Sequence, residues 1–94
     1  MLKSPILIKT NQNTNPDNDL FLLDASSNDV TITLPDITCD GLYFRICRID
    51  TNTANTVTVR SFNDIQTING RPYITLNIES KVGIVSFGYI WYSV

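Results

Sequence analysis

The stretch from Asn28 to Val59 constrains the fold most, because apolar residues recur there at every second position and no helical pattern competes. Val30, Ile32 and Leu34 alternate with Thr31 and Thr33 until Pro35-Asp36 stops the run. Asp40-Gly41 turns the chain into Leu42 to Ile49, and Asp50 to Ala54 turns it again into Val57 and Val59. A period of two puts one set of side chains on one sheet face, with Thr and Arg on the other. The pattern predicts strands joined by turns within an antiparallel sheet.

The same signals continue on both sides. Pro5 to Thr10 holds Ile6, Leu7 and Ile8 in succession, so this strand is apolar on both faces, and Leu20 to Leu23 repeats the feature. The turn Asp24 to Asp29 between Leu20–Leu23 and Val30–Leu34 predicts a hairpin. In Leu42 to Ile49 the core-facing set steps from Ile46 to Ile49, which predicts a β-bulge near Cys47-Arg48 that returns Ile49 to the interior. Ile65 and Ile68 read as a short strand ending at the hairpin signal Asn69-Gly70. Tyr73 to Ile78, Val82 to Phe87 and Tyr89 to Val94 complete about eight or nine short strands in one domain over residues 1–94. No repeat emerges at solenoid periods. The expected architecture is an all-β, compact antiparallel sandwich or flattened, jelly-roll-like barrel. Its expected core is Val30, Ile32, Leu34, Phe44, Ile46, Ile49, Val57, Val59, Ile68, Leu76 and Trp91.

Composition narrows the function. Ten Asn and eleven Thr outnumber seven Lys plus Arg, a balance suited to short strands and turns. The basic residues are scattered and the net charge is -2, which argues against nucleic-acid binding. No apolar run reaches the roughly 20 residues of a membrane span, and the start MLKSPILIKT is too short in its apolar part for a secretory signal. Cys39 lies just before the Asp40-Gly41 turn and Cys47 near the far end of the following strand, and the extended residues from Gly41 to Cys47 span about 20 Å at ~3.3 Å per residue. The two cysteines therefore read as small, mostly buried thiols and not as a disulfide.

Without His, nucleophile–histidine pairs and histidine metal sites are excluded within one chain. The nine carboxylates read as solvated turn residues, so neither a catalytic site nor a cofactor is expected. Asn15-Pro16-Asp17-Asn18-Asp19 spaces oxygen ligands like part of a calcium loop but lacks its Gly and distal Glu, so no metal is assigned. Tyr89-Ile90-Trp91-Tyr92 supports two readings: a sugar-stacking platform, or packing with Trp91 inside and Ile90, Tyr92 and Val94 against another surface. A chain this short buries only about 60–65% of its unfolded surface, so association is an ordinary source of further stability. Ile6, Leu7, Ile8, Ile90, Tyr92 and Val94 are the expected subunit contacts, since a wet second face would expose a large apolar patch.

The order VTITLP, G-x-Y-F-x-I-x-R-I-D, N-T-V-T-V, T-I-N-G and F-G-x-x-W-Y-x-V, from about Asp24 to Val94, resembles a β module of bacteriophage tail fibres and receptor-binding proteins. Related small proteins occur in giant DNA viruses of amoebae. The resemblance implies a non-enzymatic, homotrimeric structural or attachment protein located in the virion or the infected host cytoplasm. Its implied partners are further copies of itself, with a host surface glycan or another virion protein as a ligand. It implies no nucleic acid and no membrane insertion. A small carbohydrate-binding module is the alternative.

Overall fold

Short alternating runs become strands wherever one face can be buried, and among the described residues there are nine of them and no helix. The computed structural model describes residues 5–14 and 20–94. The strands are β1 (Ile6–Ile8), β2 (Gln12–Asn13), β3 (Leu20–Leu23), β4 (Val30–Thr33), β5 (Tyr43–Arg48), β6 (Val57–Arg60), β7 (Tyr73–Leu76), β8 (Lys81–Phe87) and β9 (Ile90–Ser93). They form a five-stranded sheet in the order β1-β3-β5-β8-β9 and a four-stranded sheet in the order β2-β4-β6-β7.

The sheets are mixed, which corrects the antiparallel expectation. From β1 to β6 the chain changes sheet at every connection, so β1, β3 and β5 pair in parallel, as do β2, β4 and β6. Antiparallel pairing begins only where β7 returns along β6, β8 along β5 and β9 along β8. The expected β3–β4 hairpin does not form, because Asp24 to Asp29 carries the chain across to the other layer. This first half winds like a flattened solenoid. Its coils are unequal, with Ile6 opposite Phe21 but Leu20 opposite Arg45, which is why no sequence repeat marks them.

Between the sheets lies one apolar cluster. Val30, Ile32, Leu34, Phe44, Ile46, Val57, Val59, Ile68, Leu76 and Trp91 are buried there, joined by Ile8, Phe21, Leu23 and Ile84. The Phe44 ring packs against Phe21 (centroids 5.6 Å apart) and Trp91 (5.5 Å) in tilted contacts. The indole Nε1 of Trp91 is buried without a partner, a desolvation of about 1–3 kcal/mol that burial of the ring must offset.

Ile49 is the exception in the expected core. β5 pairs regularly with β3 through Arg48, so no bulge shifts the register, and Ile49 is 46% exposed. The inward position belongs to Arg48, which is buried. The expected strand at Ile65–Ile68 is also missing. Ile65 is 79% exposed in a bent loop, whereas Ile68 is held by single bridges to Arg71 and Trp91. The Asn69-Gly70 turn does form, with φ of 52° and 83°, a pair of positive angles that Asn and Gly tolerate at little steric cost.

Candidate functional site: the outer face of the five-stranded sheet

β1 and β9, the two strands expected to meet other subunits, are the opposite edges of one sheet. Alternation turns Ile6 and Ile8 toward the core with Phe21, while Leu7 pairs outward with Leu22. Ile8 is therefore corrected from a contact residue to a core residue, fully buried within one chain, and Ile6 is half-buried against the core cluster. Leu7 is 51% exposed. At the other edge Tyr92 and Val94 are exposed and Ile90 is half-buried. Trp91 points inward, so Tyr89-Ile90-Trp91-Tyr92 cannot present a continuous ring platform.

The middle strands complete this face. Leu20 and Leu22 of β3, Tyr43, Arg45 and Cys47 of β5, and Gly83 and Val85 of β8 occupy the outward register, with Val85 opposite Tyr43 and Tyr92. Sequence reasoning missed these positions. Their signal was present in Leu20–Leu23 and Val82–Val85, runs with apolar residues on consecutive positions where a one-sided sheet would alternate. Cys39 is exposed and Cys47 partly exposed; both are free thiols, which corrects the expectation of burial.

Gly83 shapes the surface. A Cβ at this position would lie 2.5 Å from the Tyr43 hydroxyl and 3.0 Å from Val94 Cγ2, so the absent side chain lets Tyr43 lie across β8. Beside it runs a groove of about 520 Å³ lined by Leu20, Leu22, Tyr43, Arg45, Cys47, Lys81, Gly83 and Val94. Among the described residues, Arg45 and Lys81 are the only charged ones on its walls.

A polar cluster closes one end of the sandwich. Arg48 donates from Nε to Asp50 Oδ1 (3.0 Å) and from Nη2 to Asp50 Oδ2 (3.2 Å). It also donates from Nη1 to the Leu76 carbonyl (2.8 Å) and from Nη2 to the carbonyls of Asn52 (2.9 Å) and Asn55 (2.8 Å). Asp50 in turn accepts the backbone N–H of Ala25 at Oδ1 and of Asn52 at Oδ2, both at 3.0 Å. The Arg48 guanidinium, with help from these amides, holds the Asp50 carboxyl down at about 2. Four segments are thereby tied together: β5, the Ala25 connection, the 50–56 loop and β7. The Asp50–Ala54 turn is thus pinned at its root, leaving Thr51, Thr53 and Ala54 outside.

Beside this cluster is a cleft of about 370 Å³ lined by Arg48, Thr53, Asn55, Thr56, Thr75, Leu76, Asn77 and Ile78. The polar segment from Asn11 contributes β2 and a buried Thr14, whose hydroxyl donates to the Thr33 carbonyl at 3.0 Å. The calcium-loop-like run Asn15–Asp19 lies outside the described residues. Among the described residues, no three His, Cys, Asp or Glu side chains gather where they could hold a metal ion, and no helix is long and apolar enough to cross a membrane. No known protein family matches the chain, and no curated protein matches it.

Proposed function

We propose that this chain is a non-enzymatic structural or attachment module that works as a self-assembled β protein, its copies meeting through the outer face of the five-stranded sheet. The observation that carries the reading is the apolar character of that face at both edges: Leu7 lies opposite Leu22 and Leu22 opposite Cys47, while Tyr43, two outward positions further along β5, lies opposite Val85 and Val85 opposite Tyr92. Five strands at about 4.8 Å and a strand length of about 17 Å give a projected area of roughly 400 Å². Its apolar residues share that area with Arg45, Cys47 and Lys81, and the largest apolar patch of a single chain, about 300–600 Å², is often functional. Covering it would also supply burial that a small core lacks.

Assignment to a virion, and a closed ring of three, rest on the resemblance to phage tail-fibre modules. Repeated copies would present the loops at each end several times over, turning weak single contacts with a host glycan or virion protein into avidity. Sedimentation at micromolar concentration tests the assembly: a discrete oligomer is expected, and a stable monomer would overturn the reading. Mass spectrometry of purified particles tests the virion assignment, which fails if the protein is missing from them.

One observation favours a second reading, a small carbohydrate-binding module. The cleft beside Arg48 offers the hydroxyls and amides of Thr53, Asn55, Thr56, Thr75 and Asn77 above the apolar surface of Ile78, a lining that suits a sugar. Binding on a glycan array that is lost in Asn77→Ala would support it, and a blank array would remove it.

A further inference from the structure

We infer that the groove on the outer face receives the Phe62–Ile65 loop of a second copy, so that the copies join head to tail. This rests on the proposed self-assembly and names the two surfaces that meet.

The loop has the features of a preformed knob. Ile65 is the most exposed large apolar residue among those described, and Phe62 is half exposed in the same turn. Between them Asp64 is exposed, and it takes no part in the Arg48–Asp50 contact, the one ion pair among the described residues. The backbone is nevertheless braced. Asn63 Oδ1 accepts the N–H groups of Ile65 (3.0 Å) and Gln66 (2.9 Å), while Ser61 Oγ donates to the Asn63 carbonyl (2.9 Å). Gln66 is fixed in turn by accepting the Ile37 N–H at 2.9 Å. A loop held this way loses little entropy on docking.

The groove is its complement in shape and charge. Its apolar walls, Leu20, Leu22 and Tyr43, can shelter Phe62 and Ile65, and Arg45 and Lys81 can face Asp64. Alternative self-contacts fit less well. Two outer faces stacked on each other would set Arg45 and Lys81 against their own copies, with no carboxylate among the described groove residues to separate them. Nor can a chain fill its own groove. The knob belongs to the connection between β6 and β7 of the four-stranded sheet, and the groove lies on the side of the other sheet that faces away. Two different surfaces in contact make a heterologous interface, which generates a ring when the rotation closes.

Charge exchange tests the contact, with circular dichroism confirming that each variant is folded. Asp64→Lys alone and the pair R45E/K81E should each weaken assembly about tenfold or more in sedimentation. All three changes in one chain should restore it, since the new lysine then meets the new glutamates. Ile65→Lys should weaken assembly and gain nothing from R45A. A monomeric wild-type protein would sink the assembly reading itself. A wild-type oligomer indifferent to Asp64→Lys would leave that reading standing and overturn the knob-in-groove contact. Loss only in R45E/K81E would likewise overturn it, giving the groove to another occupant such as a facing sheet or an anionic amphiphile.

Discussion

Arg45 and Arg48 sit on one strand with Ile46 and Cys47 between them, and the parity of that spacing sends them to opposite sides of the sheet. Arg48 points inward, is only 4% exposed, and is surrounded by a carboxylate and three carbonyls. Arg45 points outward into an apolar groove whose only other charge among the described residues is Lys81. The same side chain is thus part of the fold in one place and part of a surface in the other. The difference lies in how fully each charge is answered: Arg48 has an acceptor for most of its donors inside the chain, and Arg45 stands where another molecule can supply one. Substitutions at the two sites should therefore separate stability from association.

The largest effect should come from Arg48→Met. It leaves Asp50 buried without its partner and strips donors from the carbonyls of Asn52, Asn55 and Leu76, a combination that costs about 3–5 kcal/mol. Urea denaturation should find the variant unfolded or barely folded. Replacing both partners with apolar residues should recover part of the loss, because no lone charge then remains inside. A loss below about 1 kcal/mol for Arg48→Met would mean that water reaches the pair and the inward arginine is not a clamp.

Acid should act on the same contact with a smaller effect. The Asp50 carboxyl titrates at about 2 in the folded chain against 3.8 in its ordinary state, so the folded pKa is depressed. Its contribution is fully present above about pH 4 and is lost as pH falls through about 2. Reduced for the nearby solvent at this end of the sandwich, the shift corresponds to about 1–2 kcal/mol. Asp24 is lowered as well, by its hydrogen bonds with Ser26, and acts in the same direction. Denaturation midpoints should stay flat from pH 7 to 5 and drop below pH 4, and Asp50→Asn should flatten most of that drop. An unchanged acid limb in Asp50→Asn would assign it to other carboxylates.

How much of this was legible in the sequence follows from the same parity. Alternation marks which residues share a face, so Val30, Ile32, Phe44, Ile46, Val57 and Val59 could be read as one buried set. It does not mark which strand lies beside which, and a strand that crosses to the opposite layer has the same pattern as one that folds back. Parallel winding from β1 to β6 was therefore hidden. Ile49 was misassigned because hydrophobicity outranked parity: with a regular ladder Arg48 takes the inward place, and only Asp50, two residues on, hints that its charge has a partner. The outer face was half visible. Both edge strands read as apolar on two sides, but Gly83 and the groove beside it depend on Tyr43 crossing from a neighbouring strand, which no local pattern encodes.

Gly83→Ala should have a moderate effect on both properties. The new methyl group would meet the Tyr43 hydroxyl and Val94, forcing the ring to swing away over the face. Overpacking of this kind costs about 1 kcal/mol when the obstacle is the mobile end of a side chain. Thermal melting should register a small loss, while the assembly equilibrium should shift more than stability does because the ring is displaced beside the groove. Equal losses in both would mean that the notch serves only packing within one chain.

Arg45→Ala should change folding least. The side chain is exposed, and surface substitutions away from a cap or strained backbone usually stay within about 0.5 kcal/mol. Its alanine variant should melt with the parent protein at protein concentrations where both are dissociated. At concentrations where the parent assembles, the variant should dissociate more readily, and added salt should narrow the gap because an exposed charge contact is screened. A clear loss of stability in the dissociated state would mean that Arg45 supports its own sheet, and the contrast with Arg48 would then be one of degree.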